Sequence, residues 1–182
     1  MYNLKPEDRN AFLNQETTSV KLPAGTLLYR FSGIDVIPEK KKTSDTELKF
    51  ITPWWSEAQG LYDFLEQAKS SNIPFHDYVR KRSAVKRSWN SLSCLIIAKL
   101  NVEKYVYSGT IAPQNEASSY SDKSSGEYKK KYTKSVFFGG GGKQVFIPNL
   151  LEKEIEIKLP HETVYISDKI DEIIGFLESC NF

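Results

Sequence analysis

Four consecutive glycines, Gly139 to Gly142, stand between the apolar runs Val136-Phe137-Phe138 and Val145-Phe146-Ile147. No other stretch restricts the fold of this chain so strongly. Glycine has no Cβ, so such a run can take positive φ and bring backbone close to another chain segment or to a ligand. The flanking residues are β-branched and aromatic and read as strands. A hairpin turn is the common use of such a run. An anion nest, built from successive backbone N–H groups, is the functional alternative. Neither GxGxxG nor a Walker lysine pattern is present and no helical periodicity follows, which excludes the Rossmann and P-loop readings.

The remaining pattern is that of an α+β domain. A weak helix is expected over residues 6–16, then a turn at Leu22-Pro23-Ala24-Gly25 and a strand over Thr26–Phe31. Residues 32–49 are polar and read as a loop. Phe50-Ile51-Thr52 predicts a short strand stopped by Pro53. Ser56, with Gln59 three residues on, suggests a capping box opening a helix whose Leu61, Phe64, Leu65 and Ala68 share one face. A second, basic helix is expected from Phe75 to about Trp89. Leu95–Ala98 reads as a strand apolar on both faces, and Tyr105–Tyr107 opens another. Residues 114–134 read as a polar loop. Strands follow at 136–138, 144–147, 154–159 and 163–166, and then a helix over 168–177 capped by Asp168. Helices inserted among many short strands favour α+β over a doubly wound parallel sheet.

Composition narrows the function classes. With 182 residues, 40% apolar and 26% charged, the chain can bury one full core, and residues 1–182 are expected to form a single domain. A net charge of +2 does not call for a nucleic-acid partner. Cys94 and Cys180 form no disulfide framework, and no Cys/His cluster suggests a metal. Cys94 lies in an apolar run and reads as a small buried hydrophobe. There is no signal peptide pattern and no run long enough to span a membrane, so synthesis in a cytosol is expected, with a secretion system needed for action in another cell.

Two pairs of motifs carry a resemblance. Ser108-Gly109-Thr110-Ile111-Ala112-Pro113-Gln114 and Gly140-Gly141-Gly142-Lys143-Gln144-Val145-Phe146-Ile147-Pro148 form the downstream pair. Leu28-Tyr29-Arg30-Phe31-Ser32-Gly33 and Phe50-Ile51-Thr52-Pro53 form the upstream pair. Together and in this order they resemble toxins of the ADP-ribosyltransferase-like superfamily, nearest to NAD glycohydrolases of the tuberculosis-necrotizing-toxin type. The resemblance spans Thr26 to Pro148. It implies one ADP-ribosyltransferase-like domain with split antiparallel sheets and flanking helices, NAD⁺ as substrate, and an immunity protein or a protein acceptor as partner.

Carried over position by position, the resemblance makes Arg30, Thr52 and Gln144 the catalytic set. Arginine offers a planar, permanently charged fork to the pyrophosphate or the nicotinamide-side ribose. The Thr52 hydroxyl would brace the site. Gln144 would hold the ribose hydroxyls while oxocarbenium-like charge develops. Tyr29, Trp54, Trp55, Gly140 and Gly141 complete the expected binding set, with one of the two tryptophans stacking on nicotinamide or adenine. Arginine-modifying transferases show Glu-x-Glu or Gln-x-Glu at the third motif, whereas this chain has Lys143-Gln144-Val145-Phe146. The missing carboxylate favours water over a protein as acceptor. His76 and His161 read as structural or exposed. The basic helix, with Tyr78 and Trp89, suggests at most a minor nucleic-acid or partner patch, the feature a catalytically silent binding module would use.

Overall fold

A computed structural model describes residues 3–33, 51–87, 89–90, 92, 94–116, 136–162 and 170–179. In chain order these residues form α1 (Pro6–Arg9), β1 (Thr18–Leu22), β2 (Leu27–Ser32), β3 (Trp54–Glu57), α2 (Gln59–Ser70), α3 (Phe75–Ser83), β4 (Cys94–Leu100), β5 (Lys104–Thr110), β6 (Gln114–Glu116), β7 (Val136–Phe138), β8 (Lys143–Phe146), β9 (Ile155–Glu162) and α4 (Ile170–Ser179). The class is α+β, as the pattern predicts. Seven strands make one sheet in the order β1-β5-β8-β3-β2-β4-β9, and every neighbouring pair is antiparallel.

The join at the centre of this sheet is narrow. In β3, Trp54 and Trp55 pair with Phe146 and Val145 of β8, while Ser56 and Glu57 pair with Tyr29 and Leu28 of β2. Two half-sheets therefore meet through four residues. The expected pair of split sheets is in fact one sheet with this single short seam. Alternation along β2 and β4 divides the core between the faces. Tyr29, Phe31, Leu95 and Ile97 pack under the apolar sides of α2, α3 and α4. Leu28, Trp55, Ile96, Ala98, Val106 and Val145 pack on the other face. β4 is thus buried on both faces, and Cys94 is buried with it.

Several boundaries differ from the sequence reading for identifiable reasons. Ile51, Thr52 and Pro53 lie ahead of the strand, which begins at Trp54. Proline has no N–H to donate, and the segment is held instead by Ile51 N–H on Leu150 O (3.0 Å) and Ile147 N–H on Pro53 O (2.8 Å). Ser56 is no helix cap. It lies in β3, and its hydroxyl donates to Lys143 O at 2.7 Å. Helix α2 starts at Gln59 and buries Leu61, Phe64, Leu65 and Ala68 as expected.

The weak helix over 6–16 is shorter, a single turn (α1) followed by a 3₁₀ turn at Leu13–Gln15. Residues 114–116 form a strand, and residues 117–134 lie outside the described residues, as do the expected strand over 163–166 and Asp168. Helix α3 stops at Ser83, where Ala84 turns left-handed at φ 47°. The chain then folds back to supply carbonyl acceptors to Arg80, which is 1% exposed: Nη1 donates to Val85 O (2.9 Å) and Nη2 to Asn90 O (3.1 Å). A buried guanidinium needs such partners, and a continued helix would not provide them. Arg80 and Tyr78 are buried and so unavailable to a surface patch, whereas Lys81 and Trp89 are exposed.

The glycine run is not a hairpin. β7 pairs with β6 in a separate two-stranded ribbon, while β8 belongs to the large sheet. The run crosses from one to the other and is stitched to its surroundings by its own amides. Gly140 N–H donates to Lys81 O (3.0 Å), Gly141 N–H to Ile111 O (3.0 Å) and Gly142 N–H to Arg82 O (3.3 Å). Two of these acceptors are otherwise-orphan carbonyls in the last turn of α3. Gly140 stands at φ +66°, and a Cβ there would lie 2.6 Å from Ile111 O. Close backbone approach is the reason for glycine here. The three amides are committed to carbonyls, so they do not form the anion nest.

Candidate active site

A cavity of about 570 Å³ opens at the seam of the sheet. β2 contributes Tyr29, Arg30 and Phe31, β3 contributes Trp54, Trp55 and Ser56, and β8 contributes Gln144. Thr52, just before β3, also lines it, so Arg30, Thr52 and Gln144 share one enclosure. The remaining walls come from Glu7, Asp8, Asn10 and Ala11 near the N-terminus, from Ser83 to Val85 with Trp89 and Asn90 after α3, and from Ile111, Ala112 and Gln114. The volume lies within the range of small-molecule and cofactor sites.

Arg30 is the most unusual group in this cavity. Its guanidinium sits 5.5 Å from the centre of the Trp55 ring, and Nη2 donates to Ser32 Oγ at 3.3 Å. Nε and Nη1 are buried and meet no hydrogen-bond partner among the described residues. Burial pulls its pKa down to about 10, which still leaves it cationic at neutral pH. A desolvated cation with unfilled donors is costly unless an anion completes it. Tyr29, next to it, is pushed up to about 12, mainly by burial and despite its hydrogen bond with Ser56, and it stays neutral.

Gln144 is anchored from the far side of the sequence. Its Nε2 donates to Ala11 O at 2.8 Å, and the same carbonyl accepts Ala112 N–H at 2.9 Å. A carbonyl can only accept, so this bond also fixes which end of the amide is nitrogen. The bond to Ala11 thus holds the amide nitrogen end of Gln144 against the N-terminal stretch. Thr52 works through the tryptophans: its Oγ1 accepts Trp54 N–H (3.5 Å) and its carbonyl accepts the Trp55 indole N–H (2.9 Å). Trp55 is 5% exposed, and Trp54 packs against Phe146 and Phe12. Both rings are therefore used largely for packing.

Gly140 and Gly141 lie outside the cavity lining: Gly140 N–H caps the α3 carbonyl of Lys81, and Gly141 N–H is bound to the carbonyl of Ile111, a lining residue. Ser56, Asn10, Asn90, Gln114, Glu7 and Asp8 line the cavity without having been singled out as site residues. Ser56 has a legible signal, a hydroxyl in the Trp-Trp-Ser-Glu run, but its spacing to Gln59 equally suits a helix cap. The N-terminal residues carried none, because their place follows from how the segment lies across the sheet. Burial, more than the neighbouring Glu7, raises the Asp8 carboxyl above its ordinary value. Among the described residues no group of three or more His, Cys, Asp or Glu could hold a metal ion, and no helix is long and apolar enough to cross a membrane.

No family model matches this chain, and no curated protein matches it in sequence. Among solved structures it is similar to Tne2, seen in complex with Tni2, at 13% identity and a TM-score of 0.44, over 81% of this chain and 92% of that one. It is also similar to Rhs1-CT, seen in complex with its cognate immunity protein RhsI1, at 15% identity and a TM-score of 0.43, over 80% of each chain. Likeness at this level transfers neither protein's activity nor its partner to this chain.

Proposed function

We propose that this protein is a toxin or effector that cleaves the nicotinamide–ribose bond of NAD⁺, with water as the acceptor. The observation that carries the reading is Arg30, a buried guanidinium with unfilled donors in the same enclosure as Thr52 and Gln144. Motif order alone had marked those positions. A diphosphate or ribose oxygen would complete the Arg30 fork. As the C1′–N bond breaks, nicotinamide leaves with the bonding electrons and positive charge spreads over C1′ and the ring oxygen. The Gln144 amide oxygen would hold the ribose hydroxyls beside that charge. Water then bonds to C1′ and releases its proton to solvent, giving ADP-ribose.

Transfer to a protein is the second reading, and one observation favours it. The carboxylate missing near Gln144 in sequence is available in space, since Glu7 and Asp8 line the same cavity. A carboxylate there could activate an acceptor side chain. An immunity protein guarding the producing cell, and delivery into another cell, belong to the toxin proposal through the motif resemblance. Incubation with NAD⁺ and measurement of free nicotinamide tests the reading. Release is the expected outcome. No release from folded protein would overturn it and leave a catalytically silent binding domain.

A further inference from the structure

The chain has three tryptophans, and two of them, Trp54 and Trp55, are packed in the seam. The third lines the same cavity and is treated differently. Trp89 is 56% exposed, and Lys86 Nζ lies 4.7 Å from the centre of its ring. An exposed indole is commonplace on a mobile surface. Here it is carried by a short segment fastened at several points by buried charged groups. Arg80 holds Val85 O and Asn90 O from beneath. Glu116, 2% exposed, accepts Arg87 N–H at 3.1 Å. Trp89 N–H closes a turn onto Lys86 O at 3.0 Å. Burying two charged side chains to fix a loop is costly, and what the loop presents at the cavity is a flat aromatic ring.

We infer that Trp89 is the stacking platform for the purine base of the dinucleotide. The inference rests on the NAD⁺ reading of the cavity and adds the position of the adenine to it. The chemistry fits the place. An indole face binds any planar base through stacking, and a ring carried on a backbone segment fixed in advance spares the cost of ordering that segment on binding. Lys86 Nζ beside the indole adds positive charge that suits a ligand carrying a diphosphate. The other two tryptophans are already engaged, Trp55 through its indole hydrogen bond to Thr52 O and Trp54 through its contacts with Phe12 and Phe146.

Titration calorimetry with ADP-ribose on wild type, Trp89→Ala and Trp89→Phe tests this, alongside NAD⁺ kinetics on the same proteins. Trp89→Ala is expected to weaken ADP-ribose binding at least about five-fold, the low end of what one base–aromatic stack contributes, and Trp89→Phe to recover most of it. The KM for NAD⁺ should rise in step while kcat changes much less, because the base is remote from the bond that breaks. Equal affinity in wild type and Trp89→Ala would overturn the assignment. So would equal loss in both variants together with falling kcat, which would mark Trp89 as a prop for the loop. If the wild type itself binds no ADP-ribose, the reading of the whole cavity falls, a result distinct from the other two.

Discussion

Under the proposed function, Arg30 concentrates a conflict between stability and binding in one side chain. Its folded-state pKa lies below its unfolded one, so the unfolded chain holds the proton more tightly between about pH 10 and the ordinary arginine value. Stability should therefore rise through that window, and below it the cost of the buried charge is fully present and independent of pH. Arg30→Met is expected to remove this cost, raising stability by about 1 kcal/mol or more while abolishing turnover. Thermal melts paired with a nicotinamide assay check both halves; a melting temperature lowered by several degrees would mean that the guanidinium is satisfied in the free protein. Arg30→Lys keeps the charge and loses the fork, and turnover should fall at least about ten-fold. Gln144→Ala should lower kcat by roughly 10²-fold, with KM less affected, because in the proposed mechanism its oxygen would act on charge that exists only at the transition state. A rise in KM at constant kcat would reduce Gln144 to a binding residue.

At the scale of elements, the cavity depends on segments that lie far apart in sequence. The N-terminal stretch crosses the sheet with Phe12, 1% exposed, set against Trp54 and bridged to Ile111. It can lie so close because residue 109, opposite Gln144 in the register, is glycine. A Cβ there would sit 2.5 Å from Phe12 Cδ1 and 2.8 Å from Glu16 O. Gly109→Ala is therefore expected to push the segment away, destabilise the fold by about 1–3 kcal/mol, and separate Ala11 O from Gln144. Activity should fall more than stability implies, measured as turnover by the fraction that denaturant titration shows to be folded. Unchanged turnover per folded molecule would show that the N-terminal stretch does not position Gln144.

For the whole molecule, the proposed cleavage of NAD⁺ leaves a choice between water and a protein as acceptor. Labelled NAD⁺ in a cell lysate should give nicotinamide and free ADP-ribose in equal amounts, with no discrete labelled protein band. A lysate is needed because a missing acceptor would mimic hydrolysis. A band that disappears in Asp8→Asn or Glu7→Gln, with nicotinamide release retained, would establish transfer and assign the base to the N-terminal wall. Attack by a guanidinium, whose pKa lies above about 12, gains from such a base, whereas water adding to an oxocarbenium-like carbon needs little help.

Local chemistry was legible in the residues themselves. The strand read over Thr26–Phe31, the doubly apolar β4 and the apolar stripe of α2 follow from composition, period and burial, and each stands near its expected place. The motif order also marked Arg30, Thr52 and Gln144, which the fold gathers into one cavity. Other features depend on which distant groups meet. Ser56 has the spacing of a helix cap, yet Tyr29 pairs with its backbone and Lys143 takes its hydroxyl. The glycine run has the composition of a turn or an anion nest, yet α3 needs caps and takes its amides. The second helix could have run to Trp89 on propensity, and the acceptors demanded by buried Arg80 end it at Ser83. A single chain states propensities and periods. The fate of each hydrogen-bonding group is settled by partners tens of residues away, so the carboxylates of the N-terminal wall and the presentation of Trp89 were decided by tertiary structure alone.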